Sequence, residues 1–171
     1  MGLTGGIASA TASSIALIAI FSPPPAAHGT GDGAAINGTF TATSNGEWAQ
    51  SNEAYHNEAT VRSTWTIATT CTTPIDCTGT VKSDQGWSAN IYTTNVQWYV
   101  KRDLPNWEHC PDGTAAPGHQ VYRFAQVGAD GYLDRNSTTY AGEDVTTGPS
   151  GACGVNDWLQ IESPFKLVKI G

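Results

Sequence analysis

The sequence predicts an all-β chain: one domain of about eight antiparallel strands, disulfide-stapled, forming an up-and-down barrel or, as the alternative, a two-sheet sandwich. Three observations carry this. Short segments with apolar residues at every second position recur along the chain, no window sustains a useful 3.6-residue apolar stripe, and Thr and Gly, which suit pleated surfaces and tight connections, are abundant. The connections read as successive hairpins, which favours the barrel over the sandwich.

The elements follow in order. "GTFTATS" (Gly38 to Ser44) is the first strand candidate. "EWAQSNEAYHNEA" (Glu47 to Ala59) is the nearest thing to a helix and reads as one short helix or a covering loop. In "ATVRSTWTIATTC" (Ala59 to Cys71), Val61, Trp65, Ile67 and Cys71 share one face while Thr60, Arg62, Thr64, Thr66 and Thr70 share the other, the period of a half-buried strand. Its partner begins at Cys77 and puts Gly79 and Val81 on the same face as that cysteine, as a hairpin requires. "WSANIY" (Trp87 to Tyr92), "NVQWYVKR" (Asn95 to Arg102), "QVYRFAQV" (Gln120 to Val127), "TTYAGEDVTT" (Thr138 to Thr147) and "PFKLVKI" (Pro164 to Ile170) complete the set. "GADGYLD" (Gly128 to Asp134) lacks the alternating acidic ligands of a calcium loop and reads as a hairpin turn.

The first 35 residues hold no Lys or Arg and one acid, Asp32. "SIALIAIF" (Ser14 to Phe21), the breaker "SPPP" and the small residues "AAHG" look like the apolar and cleavage regions of a secretory leader, although the usual positive start is missing. A membrane span needs about 20 apolar residues, and extending back to Ile7 only dilutes the run with Ala, Ser and Thr. No cysteine follows the run to carry a lipid. The expected organisation is a leader over residues 1–35 and a secreted β domain over 36–171, which is long enough to bury a core.

Fifteen Asp and Glu stand against eight scattered Lys and Arg. With no basic cluster, neither nucleic acid nor an anionic membrane surface is an expected partner. Four cysteines behind a leader, Cys71, Cys77, Cys110 and Cys153, form the arithmetic of a disulfide framework. Three pairings are open; Pro74 and Asp76 inside "CTTPIDC" favour a hairpin end closed by Cys71 and Cys77, leaving Cys110 with Cys153. The stretch "NWEHCPDGTAAPGHQVYRF" (Asn106 to Phe124) gathers Glu108, His109, Cys110, Asp112 and His119. Neither it nor the other cysteines show zinc-like C-x-x-C spacing, and His109 beside Cys110 would point to the opposite face of an extended chain, so "CPDGTAAPG" reads as a turn.

The succession "WTIATTCTTPIDC", "VQWYV", "CPDGTAAP" leading into "QVYRF", "ACG" and "PFKLVKI" resembles a group of small exported proteins from mycobacteria and related actinobacteria. The likeness runs from Gly38 to the end and rests on Trp65, Cys71, Cys77, Trp98, Cys110, Pro111, Asp112, Gly113, Cys153, Gly154, Pro164 and Phe165. It implies a secreted or envelope location, the same cysteine pairing, and no assigned activity. The uncharged N-terminus departs from it.

Candidate chemistry is sparse. Glu143 and Asp144 are strand neighbours whose side chains diverge, so they cannot flank one glycosidic bond; these acids read as solvated surface. No G-x-S-x-G elbow is present. The N-x-S/T matches at Asn37 and Asn136 would suggest glycosylation in a eukaryotic secreted protein; with the bacterial resemblance they read as chance. Of six tryptophans, Trp65 and Trp98 belong to apolar faces, while Trp48, Trp107 and Trp158 fall in turn or polar contexts and are the candidates for contacting a ligand or partner. The expectation is a secreted, non-enzymatic, monomeric β domain without metal or cofactor, binding a small apolar ligand in the barrel interior or an envelope or host protein at its surface. The rivals are a secreted hydrolase of envelope carbohydrate or peptide, and a structural or sensory ectodomain anchored at the envelope by an uncleaved leader.

Overall fold

The computed structural model describes residues 1–2 and 34–171. The leader expected over residues 1–35 therefore lies almost wholly outside the described residues. What is described is a closed antiparallel barrel of eight strands. In chain order these are β1 (Gly38–Ser44), β4 (Val61–Thr73), β5 (Asp76–Ser83), β6 (Ser88–Thr94), β7 (Gln97–His109), β8 (Ala115–Gln126), β9 (Thr139–Thr147) and β10 (Gln160–Lys169). Each pairs with the next, and β1 closes the ring by pairing with β10, Ala42 opposite Leu167. Between β1 and β4 the chain makes a 3-10 turn (Gly46–Trp48) and two short strands, β2 (Gln50–Ser51) and β3 (Ala54–Tyr55), that hang on β10. The segment expected as a short helix or covering loop is thus a small β-ribbon.

Alternation sends one face of every strand inward. Across the ring the registers align Phe40 with Trp65, Ile67 with Val81, Ile91 with Val100, and Tyr122 with Asp144. Trp65 on β4 and Tyr122 on β8 come from opposite walls of the ring and touch edge to face, with centroids 4.9 Å apart. Phe165 packs on both. An eight-stranded barrel is only just wide enough for side chains, so this aromatic layer fills the lumen. Trp98, 4% exposed, and Trp65, 1% exposed, are core as the sequence predicts. Val61 shares their face of the strand yet is exposed, because it is the first residue of β4 and stands beyond the last packed layer.

Both expected disulfides are formed. Cys71–Cys77 closes the tip of the β4–β5 hairpin, and Cys110–Cys153 ties the β7–β8 tip to the β9–β10 connection at the other end. The turn after β7 is shorter than "CPDGTAAPG". Cys110 and Thr114 close it, Gly113 supplies the left-handed backbone at φ 84°, and Asp112 Oδ1 accepts from the Thr114 amide and hydroxyl. Ala115 to Gly118 already belong to β8, where Pro117 stays exposed.

Candidate functional site

The two ends of the barrel differ. At the end bearing Cys110–Cys153 the interior finishes in a polar layer. Asp144, only 8% exposed, accepts from Ser44 Oγ at 2.6 Å and from Gln120 Nε2 at 2.7 Å. Gln120 in turn accepts from Arg102 Nε at 2.6 Å, and the Arg102 guanidinium lies 4.3 Å from the centroid of Trp87. The reading of Asp144 as solvated surface is therefore corrected: strand alternation that sends Glu143 out sends Asp144 in. Burial raises the Asp144 pKa, and the hydrogen bonds and Arg102 offset only part of that. Burial likewise raises Tyr122 and, toward the opposite end of the barrel where it pairs with Gln126, pushes Tyr140 up to about 12. Each of these groups is engaged by the fold itself, and Trp107 packs close against Gly118, where an added Cβ would come within 2.7 Å of the indole.

The opposite end is open and apolar. A pocket of 330 Å³ lies there, lined by Ala34, Pro74, Thr93, Val96, Trp98, Gln126, Leu133 and Arg135. Four separate segments build it: the chain before β1, the β4–β5 tip, the β6–β7 turn and the long β8–β9 loop. Thr93 Oγ1 accepts from the Cys77 amide at 2.8 Å and donates to the Ile75 carbonyl at 2.9 Å, which straps the Pro74 tip to β6. Gln126 Nε2 donates to the Ser137 carbonyl and anchors the β8–β9 loop. Trp98 marks the level at which the packed lumen gives way to the pocket.

The residue types at this rim are unusual for turns. Ile75, Tyr132 and Leu133 occupy hairpin and loop positions with half or more of their surface exposed. Asn95 and Val96 form the two-residue β6–β7 turn with φ 49° and 65°. That mirror-image turn favours Asn followed by Gly. A β-branched side chain in the left-handed region is strained, by about 1–2 kcal/mol, and here the strained residue lines the pocket.

The tryptophans singled out from the sequence are not brought together at this mouth. Trp48, 69% exposed, overhangs a shallow groove of 160 Å³ with Gln50, Gly142, Glu143, Glu162 and Pro164 on the outer wall. Trp158 is exposed beside the ribbon, its carbonyl accepting from Asn52 Nδ2 at 3.0 Å. Trp107 is half-buried. The residues that sequence reasoning missed, Pro74, Val96, Leu133 and Arg135, did leave a signal: an apolar Val in a two-residue turn and a Tyr-Leu pair inside a loop. Among the described residues no group of three or more His, Cys, Asp or Glu is placed to hold a metal ion, and no helix is long and apolar enough to cross a membrane.

The class defined by this geometry is a disulfide-stapled, closed eight-stranded antiparallel barrel with a packed lumen and one open mouth. No family model matches the sequence, and no curated protein matches it. Among solved structures the chain is similar to the monomer form of the M. tuberculosis PknI sensor domain, with a TM-score of 0.56 and 14% identity over 80% of this chain and 88% of that one. The likeness is one of fold.

Proposed function

We propose that the protein is an exported, non-enzymatic binding or sensing domain whose ligand site is the open barrel mouth. The observation that carries this is Val96. A hairpin turn gains nothing for its own stability from a β-branched residue at φ 65°, whereas the same valine supplies an apolar wall to a pocket of ligand-binding size. Two disulfides and a leader-like N-terminus support an oxidising, extracytoplasmic location. The sensor-domain title of the solved structure of like fold supports a sensing role. Because the lumen is filled, a ligand held in the barrel interior has no place, and the apolar ligand is assigned to the mouth. The outer groove under Trp48 holds two carboxylates, but Glu143 is ion-paired to Arg123 on the neighbouring strand and so is already engaged within the fold. Hydrolysis is the weaker reading for that reason.

Titration with 1-octanol, a neutral apolar probe, followed by tryptophan emission tests the assignment. Wild-type protein saturates. Val96→Gly binds several-fold more weakly, since it deletes a three-carbon wall worth up to about 0.8 kcal/mol per buried carbon. Its unfolding midpoint stays level or rises, because glycine relaxes the turn. Unchanged octanol binding together with a lowered midpoint would show that Val96 serves only the fold, and would end the proposal.

A further inference from the structure

Resting on that reading of the mouth, we infer that the pocket selects amphipathic organic anions: a carboxylate held at the rim by Arg135, with an apolar tail of about eight carbons inside.

Charge placement argues for the anion. The chain has eight Lys and Arg against 15 Asp and Glu, yet the single ionisable residue in the pocket lining is a cation, Arg135. Among the described residues Arg135 joins no ion pair, whereas Arg123 does. The two carboxylates of its own loop are engaged locally: Asp130 Oδ1 accepts from the Tyr132 amide at 3.1 Å, and Asp134 Oδ1 from the Asn136 amide at 2.9 Å. A planar guanidinium left free at an apolar rim fits a carboxylate with two parallel hydrogen bonds.

Size argues for the tail. If each non-hydrogen atom takes the roughly 30 Å³ that a water takes in the liquid, then 330 Å³ accommodates about eleven such atoms. A carboxylate on a chain of about eight carbons matches that number. Pro74, Val96, Leu133 and Trp98 meet such a tail with apolar surface, and the packed aromatic layer below prevents deeper entry. A longer acyl chain would leave its end in water.

The test compares octanoate, 1-octanol and octylammonium on the same protein by calorimetric titration. Three forms are used: wild type, Arg135→Gln and the pocket-filling Ala34→Trp. Octanoate is expected to bind wild type about five- to tenfold more tightly than octanol, the span of a partly exposed charge-assisted pair, and octylammonium most weakly. Arg135→Gln lowers octanoate to the octanol level, leaves octanol unchanged and removes the salt dependence. Ala34→Trp suppresses all three ligands. Equal binding of octanoate and octanol to wild type, or equal weakening of both by Arg135→Gln, would overturn the anion selectivity while leaving the apolar mouth standing. Binding of none of the three, or full binding by the Ala34→Trp form, would overturn the mouth itself.

Discussion

Removing the two disulfides one at a time separates what each end of the barrel contributes. Cys110 and Cys153 are 43 positions apart, and Cys71 and Cys77 are six apart. In the chain-entropy description, a crosslink restricts the unfolded ensemble by a constant plus a term in the logarithm of loop length. That gives about 4 kcal/mol for the long loop and about 2.4 kcal/mol for the short one. Unfolding entropy scales near 2.1 cal/mol/K per residue, so over residues 34–171 these correspond to melting shifts of roughly 14 and 8 °C. The alanine pairs Cys110→Ala with Cys153→Ala, and Cys71→Ala with Cys77→Ala, avoid burying a hydroxyl, which matters because Cys77 is 1% exposed. Urea unfolding at fixed pH under non-reducing conditions measures both. A smaller loss from opening the long loop than from opening the short one would refute the reasoning, because it would mean that local packing around the sulfurs outweighs chain entropy.

Two further outcomes test the interior. Asp144 is buried and its pKa raised, so the folded state keeps a proton that the unfolded chain has released. Stability from this group is therefore full below the unfolded carboxylate value of about 3.9 and falls as pH rises toward the folded value. Asp144→Asn removes that fall, so its stability relative to wild type should grow across the window above about pH 4; a difference independent of pH from 3 to 7 by urea titration would sink the argument. Gly142 sits where β8 and β9 approach so closely that a Cβ would strike the Arg123 carbonyl oxygen and lie 2.6 Å from Phe124 Cα. Backbone cannot step aside as a side-chain tip can, so Gly142→Ala should cost about 1–3 kcal/mol; a thermal midpoint equal to wild type would refute the close packing.

Much of the fold was legible because its rules are local. Period-two patterning identified all eight barrel strands, since a strand with one face against a packed lumen must alternate. Cys71 and Cys77 could be paired from the turn between them. Strand ends were less legible. β7 runs on through Pro105 to His109 because the partner strand and a bulge between Leu104 and Glu108 accept it, and neither is visible in the one-dimensional pattern. The ribbon of β2 and β3 exists only because β10 offers Glu162 and Ile161 as partners.

The candidate site was the least legible part. Exposed tryptophans attract attention in a sequence because the residue is rare and large, yet Trp48, Trp107 and Trp158 lie on an outer wall, against a glycine and beside a ribbon. The pocket instead comes from one to three ordinary residues in each of four distant segments, and its one cation sits in a loop between strands.

From the sequence alone came the all-β class, the strand count, the sulfur framework and the inward faces, because alternation and turn chemistry act between residues a few positions apart. Tertiary structure decided that the ring closes through β1 and β10, that aromatic side chains from opposite walls fill the lumen, and that Asp144 is buried while Val96, Leu133 and Arg135 share a mouth. Those outcomes depend on which strands become neighbours after closure, and distance along the chain carries no record of that.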